Sequence, residues 1–241
     1  LQDWLNTRIF PFEDKLTSEA VYYATLLAMA ESLRFGIVSS SDMYYFCDDM
    51  VRAVEESGAK ANISRSITSF AEGSVKNNDS YREAEALIRD YHGAAEGRIL
   101  IDASIHAEYT NTVTSMTEVA DLAKKYGVNM HVHVSETKQE HEECKARHGG
   151  RTPAQLLCDL GAFDTRTTAA HCVWAEEEDI EIFSEKGVTV VTCPVSNLKL
   201  ASGVCNVPAL MKKGVNVAIG TDSVASNNSL NFIEEMKFFA L

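Results

Sequence analysis

The sequence of 241 residues predicts an α/β fold in which parallel strands alternate with helices. Two observations carry that expectation. Seven short β-branched or apolar runs recur along the chain, and each is followed by an amphipathic stretch with helix start or stop signals. The composition, 45% hydrophobic and 24% charged, suits an ordinary globular chain long enough to bury a sizeable core. Seven such units fit a doubly wound sheet. They fit equally a (β/α)8 barrel of the TIM type that is short of one unit.

The elements follow in order. Thr17 is an N-cap for a helix with apolar positions Val21, Ala24, Leu27, Ala28 and Leu33, stopped by Gly36. A strand run over 37–41 ends at Asp42, and a helix over 48–57 stops at Gly58 before the run 60–64. A helix over 80–95 precedes the run 99–103, and a helix over 112–126, stopped by Gly127, precedes 129–134. Helical stretches over 138–147 and 153–160 lead to 167–170. A helix over 176–186, stopped by Gly187, leads to 188–192, and one over 207–213, stopped by Gly214, leads to 215–219. A last helix starts near Leu230.

Several function classes are disfavoured at once. A formal net charge of −13 leaves no basic face to replace the counterions of a nucleic acid. No strand run ends in G-x-G-x-x-G and no G-K-S/T occurs, so neither a dinucleotide fingerprint nor a phosphate loop is present. The six cysteines, Cys47, Cys144, Cys158, Cys172, Cys193 and Cys205, form no C-x-x-C pair. Each sits in or beside an apolar segment, as buried free thiols do. With no bilayer-length apolar run and no signal peptide at its start, the chain reads as reduced and cytoplasmic, with no membrane partner. It opens on Leu1 and stops inside a helical pattern at Leu241, and so reads as one domain over 1–241, truncated at both ends.

The chemistry lies at the ends of the strand runs. Successive runs end at His106, His133 and His171, and the last at Asp222. In an α/β barrel all strand C-termini converge on one face, so such residues meet although far apart in sequence. Imidazoles and a carboxylate gathered there form a borderline-soft cation site suited to zinc or iron. One histidine at a strand end is ordinarily structural, and Asp222 after Gly220-Thr221 fits a simple turn. Their coincidence in one chain favours the cation site. His92, His141 and His148 fall on helical stretches and are expected to face solvent.

Longer segments resemble a known family. His131 to Glu140 (HVHVSETKQE) resembles the fifth-strand motif of the metal-dependent deaminases of the amidohydrolase superfamily. Ala169-Ala170-His171-Cys172-Val173 is similar to their sixth-strand motif, and Pro194 to Gly203 to the loop after the seventh strand. Gly220-Thr221-Asp222-Ser223 with Ser226-Asn227-Asn228 resembles the eighth-strand motif, and Asp3-Trp4-Leu5 with Ile9, Pro11 and Glu13 the loop after the first. The resemblance runs over essentially the whole chain and is greatest to the methylthioadenosine/S-adenosylhomocysteine deaminase group. It implies an incomplete (β/α)8 barrel whose first strand, with an H-x-H ligand pair, and whose flanking β-sandwich domain are absent.

The resemblance also implies roles. His133 and Asp222 fall on metal ligands, for one divalent ion, zinc first, with iron, nickel or manganese as alternatives; His131 is expected to point elsewhere. Such an ion lowers the pKa of bound water toward ~7, making hydroxide available to attack the amine-bearing ring carbon. Glu136 falls on the acid that protonates the ring nitrogen, His171 on the residue that holds the attacking water, and Asp222 on the group that handles its proton. His106 resembles a substrate-binding histidine, although many relatives carry Ser-Pro where Ala107-Glu108 stands. Arg65 and Arg82 fall where relatives hold a substrate carboxylate, chemistry that suits a guanidinium. Asp3 stands where relatives carry a ribose-binding glutamate, one methylene longer. The implied function is hydrolytic deamination of a small adenine-type nucleoside, by a protein whose relatives often form homodimers. The truncated chain by itself is expected to be inactive. Guanine deaminase and triazine chlorohydrolase are rivals on the same fold, and a non-catalytic barrel scaffold is the rival from another class.

Overall fold

The computed structural model describes residues 1–241. Its strands are β1 (Ser39–Tyr44), β2 (Lys60–Arg65), β3 (Ile99–Ile101), β4 (Ala103–Ile105), β5 (Met130–Val134), β6 (Thr167–His171), β7 (Thr189–Thr192) and β8 (Asn216–Ile219). Every pairing is parallel, in the orders β1-β2-β3 and β4-β5-β6-β7-β8. The run 99–103 becomes two short strands because Asp102 interrupts it, and Asn62 reaches the Asp102 carboxylate at 3.3 Å. A bridge between Ile67 and Ile105, with Asp102 N–H donating to the Ile63 carbonyl, carries the arc across this break. Strand order in space therefore follows the chain without reversal. A doubly wound sheet reverses its order at a switch point, so this winding is of the barrel kind. β1 and β8, at the two ends of the arc, are not paired with each other.

Helix α1 (Ser18–Arg34) precedes β1, and α2 (Cys47–Ser57), α3 (Asp79–Tyr91), α4 (Val113–Tyr126), α5 (Lys138–Arg147), α6 (Pro153–Asp159) and α7 (Glu177–Lys186) cross between strands. Shorter helices α8 (Pro194–Lys199), α9 (Val207–Lys212) and α10 (Val224–Asn227) follow, and α11 (Phe232–Phe239) closes the chain. Their starts are set chemically. The Thr17 hydroxyl accepts from Ala20 N–H at 3.2 Å, and Thr112, Thr137 and Thr152 each cap reciprocally with the residue three positions on. Gly127 and Gly187 end α4 and α7 at φ +65 and +64, a conformation that costs a side chain with a Cβ.

Two stretches expected to be loops are helical. Residues 2–13 form consecutive helical turns, with a widened π turn over Leu5–Ile9 just ahead of Pro11. Proline has no N–H for the preceding turn, and widening it relieves the misfit. Residues Pro194–Lys199 begin with a proline at the first helical position, where its missing N–H is not needed.

One cluster of 43 buried apolar residues runs from Val21 to Val215, so the break at Asp102 does not divide the core. Ile63, Ile101, Ile105, Met130, Val132, Ala169 and Val190 are fully buried, as strands covered on both faces require. Phe163 and Phe183 pack edge to face at 6.0 Å between ring centres. Five of the six cysteines are buried, Cys158 is partly so, and all are free thiols. No helix is long and apolar enough to cross a membrane.

Candidate active site

The C-terminal ends of β5, β6 and β8 bring together residues from distant parts of the sequence. The His133 ring lies 5.5 Å from the His171 ring, centre to centre and nearly parallel, and 5.0 Å from that of His106. His171 Nε2 stands 3.8 Å from Glu136 Oε2. Asp222 joins through a shared charge environment, since His171 and Asp222 each shift the other's ionisation. Four non-glycine residues here, Ser135, His171, Cys172 and Asp222, hold left-handed backbone at φ +48, +71, +48 and +58. Such conformations persist only where their surroundings over-determine them, and they concentrate at functional sites.

Each side chain is oriented by a second group. His133 Nδ1 meets the His106 carbonyl at 2.7 Å, which places the proton on Nδ1 and leaves Nε2 free of hydrogen bonds. His171 Nδ1 meets Asn197 Oδ1 at 2.8 Å. Asp222 Oδ2 accepts from Ser196 Oγ at 2.5 Å and Ser226 Oγ at 2.8 Å, while Oδ1 accepts from Ser223 N–H. His106 Nδ1 bonds Thr110 Oγ1 at 3.1 Å. Glu136 Oε1 sits 3.4 Å from Ser202 Oγ.

The electrostatics divide the histidines. Burial, then the neighbouring charges of His133 and His171, pushes the imidazole of His106 down to about 3, so it stays neutral near pH 7. His131 is pushed to the same value by the same causes. Burial and the charge of His171 likewise lower His133. Burial also works against a charge on His171, but the carboxylates of Glu136 and Asp222 and the Asn197 hydrogen bond outweigh it and raise its pKa. For Asp222 burial favours the protonated form, yet His171 and the donors from Ser196, Ser223 and Ser226 hold it lower than an ordinary aspartate.

A neutral imidazole with a free Nε2, a second imidazole oriented through its Nδ1, and an ionised, triply hydrogen-bonded carboxylate form a donor set that fits a divalent cation. His133 and Asp222 are the residues that would hold one, with His171 beside them.

His131 does not point elsewhere. Strand residues two apart share a face, and its buried ring lies 6.3 Å from that of His133, with Nδ1 3.5 Å from Ser41 Oγ. Nor does His141 face solvent. It is buried, bonded to Ser135 Oγ at 3.1 Å and to Glu176 at 3.0 Å, because its face of α5 packs inward. His148 is partly buried against Glu108 at 2.9 Å. His92 is exposed, although its Nδ1 meets the backbone of Ile101 at 3.1 Å.

The remaining candidates make no hydrogen bond or ion pair with the cluster. Arg65, at the end of β2, donates to Glu83 at 2.7 Å and lies over the Tyr45 ring at 4.8 Å. Arg82, exposed on α3, bonds the Asn77 carbonyl and pairs with Asp79. Asp3 is exposed in the N-terminal helical segment, whose Gln2 meets Gln139 of α5 at 3.2 Å.

Sequence reasoning assigned no role to Asn197, Ser196, Ser226 or Glu140, although all lie in the segments that carry the resemblance. Their only signal was membership of those segments, where other polar residues surround them and none stands out. Glu108, Cys144 and His148 also bring ligand-type atoms within 4.8 Å of one another. Arg147 already neutralises the Glu108 carboxylate at 2.5 Å, so that group is a buried ion pair rather than an open metal site.

The chain matches the amidohydrolase family over residues 1–241 and belongs to it. Among curated relatives it is 46% identical over 240 residues to a 5-methylthioadenosine/S-adenosylhomocysteine deaminase of Caldanaerobacter subterraneus subsp. tengcongensis, spanning 100% of this chain and 55% of that protein. It is 42% identical over 241 residues to a 5'-deoxyadenosine deaminase of Methanosarcina mazei, again spanning 100% and 55%. A crystal structure of an adenosine deaminase from Xanthomonas campestris with bound zinc superimposes with a TM-score of 0.90 at 34% identity, covering 98% of this chain and 54% of that one. The chain thus spans about half the length of the curated relatives it matches.

Proposed function

We propose that this chain carries most of the catalytic barrel of a metal-dependent hydrolase that deaminates adenine-type nucleosides such as methylthioadenosine, S-adenosylhomocysteine or adenosine. The observation that carries the reading is the convergence at the strand ends. His133 Nε2 is free, His171 and Asp222 are held by Asn197 and Ser196, and the Glu136 carboxylate lies 3.8 Å from His171. The names of the relatives point to the same chemistry.

A divalent ion bound by His133 and Asp222 would supply a water acidic enough to attack at neutral pH. His171 orients that water and stabilises charge as it develops, with its Nδ1 fixed by Asn197. Glu136 would give a proton to the ring nitrogen beside the attacked carbon and recover one from the new hydroxyl as the carbonyl forms, while Asp222 would take the water's first proton and pass it to the departing ammonia. His106, neutral and held by Thr110, would offer its free ring nitrogen to the purine.

The reading extends to architecture and substrate tail. The unpaired edges of β1 and β8 leave room for one more strand, and the polypeptide of residues 1–241 alone is expected to hold metal weakly and release little ammonia. Arg65 and Arg82 are assigned to a substrate carboxylate. Substituting both with alanine is expected to raise KM for S-adenosylhomocysteine about ten-fold or more and leave methylthioadenosine, which has no carboxylate, within two-fold. Equal losses on both substrates would remove that assignment.

The deciding experiment pairs elemental analysis with ammonia release from the full-length protein. Near-stoichiometric metal and turnover of an adenine nucleoside are expected. Metal without turnover of any adenine nucleoside, but with turnover of guanine or a chlorotriazine, would move the reading to those rivals. No metal and no turnover would leave the barrel as a scaffold.

A further inference from the structure

We propose that Glu140 is a positioning residue for the proton-donating carboxylate, locking the turn after β5 so that Glu136 faces His171; this rests on the deaminase reading above. Glu140 is 1% exposed, and no lysine, arginine or histidine pairs with it. Its oxygens are satisfied by backbone alone. Oε1 accepts from Ser135 N–H at 3.0 Å, and Oε2 accepts from Glu136 N–H at 2.8 Å and Thr137 N–H at 3.4 Å.

An ordinary helix cap accounts for only part of this. In a capping box the third helical residue reaches back to the N–H of the N-cap, here Thr137, and that is the longest of the three bonds. The two shorter bonds go to residues upstream of the cap, one of them Glu136 itself. An ionised carboxylate makes hydrogen bonds roughly twice as strong as a neutral acceptor, so these three backbone donors are gripped most firmly when Glu140 is ionised. The same turn is held from other sides by His141 on Ser135 Oγ at 3.1 Å and by Trp174 N–H on the Ser135 carbonyl at 2.9 Å. Those contacts fix Ser135, whose φ of +48 turns the chain off the strand. Only Glu140 grips the backbone of Glu136.

Two carboxylates are thus buried near each other with different work. Glu136 keeps its side chain toward the cluster, near His171 and Ser202, while Glu140 spends both oxygens on the main chain. Glutamine at 140 has one accepting oxygen, and its amide group would press N–H against N–H on the other side. The turn should then sample positions that carry Glu136 away from the ring nitrogen it protonates. Misplacement by about 1 Å is enough to lower turnover by one to two orders of magnitude.

The test uses the full-length, metal-loaded protein with E140Q and the shorter acid E140D. For E140Q, kcat on methylthioadenosine is expected to fall about ten-fold or more, with KM within about two-fold and metal stoichiometry unchanged. E140D, which keeps a carboxylate at shorter reach, should lie between E140Q and wild type. Amide hydrogen exchange at residues 135–137 should quicken about ten-fold in E140Q while the β5 amides keep their protection. Unchanged kcat in either folded variant, or a kcat loss that merely tracks lost metal, overturns the proposal. So does unchanged exchange at the three amides. The exchange measurement needs no turnover, so a wild-type protein that releases no ammonia would count against the deaminase reading while Glu140 is still judged.

Discussion

At the scale of single residues, the cluster works by separating roles among similar groups. His133 and His106 are kept neutral by burial and by neighbouring histidines, whereas His171 is pushed toward protonation by Glu136 and Asp222 despite its burial. Substituting Glu136→Gln keeps the volume and removes the carboxyl to which the proton transfer is assigned in the proposed mechanism. Ammonia release is expected to drop roughly a hundred- to ten-thousand-fold with metal content unchanged, checked by steady-state kinetics beside elemental analysis. Glu140 makes a second residue-scale prediction, this one about pH. Burial and the charge of Glu136 raise its carboxyl from the ordinary 4.5 to about 7. The folded state therefore holds this proton more tightly than the unfolded chain, and the associated stability, roughly 3 kcal/mol, is present below pH 4.5 and lost as pH rises through 7. Comparing thermal melts of wild type and E140Q at pH 5 and pH 8, the variant should lose less stability on going to pH 8. An identical pH response in both would show that Glu140 does not titrate in this range.

At the scale of elements, short turns after β5, β6 and β8 do the positioning, and each is held by hydrogen bonds from a different part of the chain. The segment after α8 illustrates the tolerance. Trp174 Nε1 donates to the Ser202 carbonyl at 2.8 Å, and the Ser202 hydroxyl stands next to Glu136. Gly203 follows at φ +128, and a Cβ there would lie 2.9 Å from Val173 Cγ1. Gly203→Ala is expected to cost about 1–3 kcal/mol and to displace Ser202, with a loss of activity larger than the change in midpoint alone explains. Denaturant unfolding and kinetics on the same preparation separate the two effects. Phe183 of α7 sits at 0% exposure against Phe163, on a helix rather than at a strand end. Truncation to alanine should remove about 3–5 kcal/mol of stability and leave the kcat of the folded fraction unchanged.

At the scale of the whole molecule, winding in chain order explains how residues as far apart as His106 and Asp222 share one site. Parallel strands point their C-termini the same way, so one face collects every strand-end side chain. A metal ion held by His133 and Asp222 would tie β5 to the segment after β8 and so link parts of the chain that no single crossover joins. Removing the ion with a chelator is expected to lower the melting temperature of the full-length protein, with recovery on adding zinc. His133→Ala should abolish both the metal content and that response. A chelator-insensitive melt in a protein shown to contain metal would place the ion outside this cluster.

The sequence by itself determined the period of the elements and the kind of atoms at the strand ends. Strand runs such as 129–134 and helix signals such as Thr17, Gly127 and Gly187 act over a few residues, through local sterics and capping, and so are legible one window at a time. Ordered motifs around His133, His171 and Asp222 brought the candidate donors into view before any geometry. Tertiary structure alone decided which neighbours those donors have. That His131 shares the face of His133, that His141 is buried, that Asn197 and Ser196 orient His171 and Asp222, and that Glu140 grips the turn of Glu136 all depend on contacts between elements. The helices at 2–13 and 194–199 were hidden for a related reason, since prolines and polar motif residues read locally as loop. Local propensity is set by a residue's chain neighbours, whereas burial, ionisation and partner choice are set by what the fold places beside it.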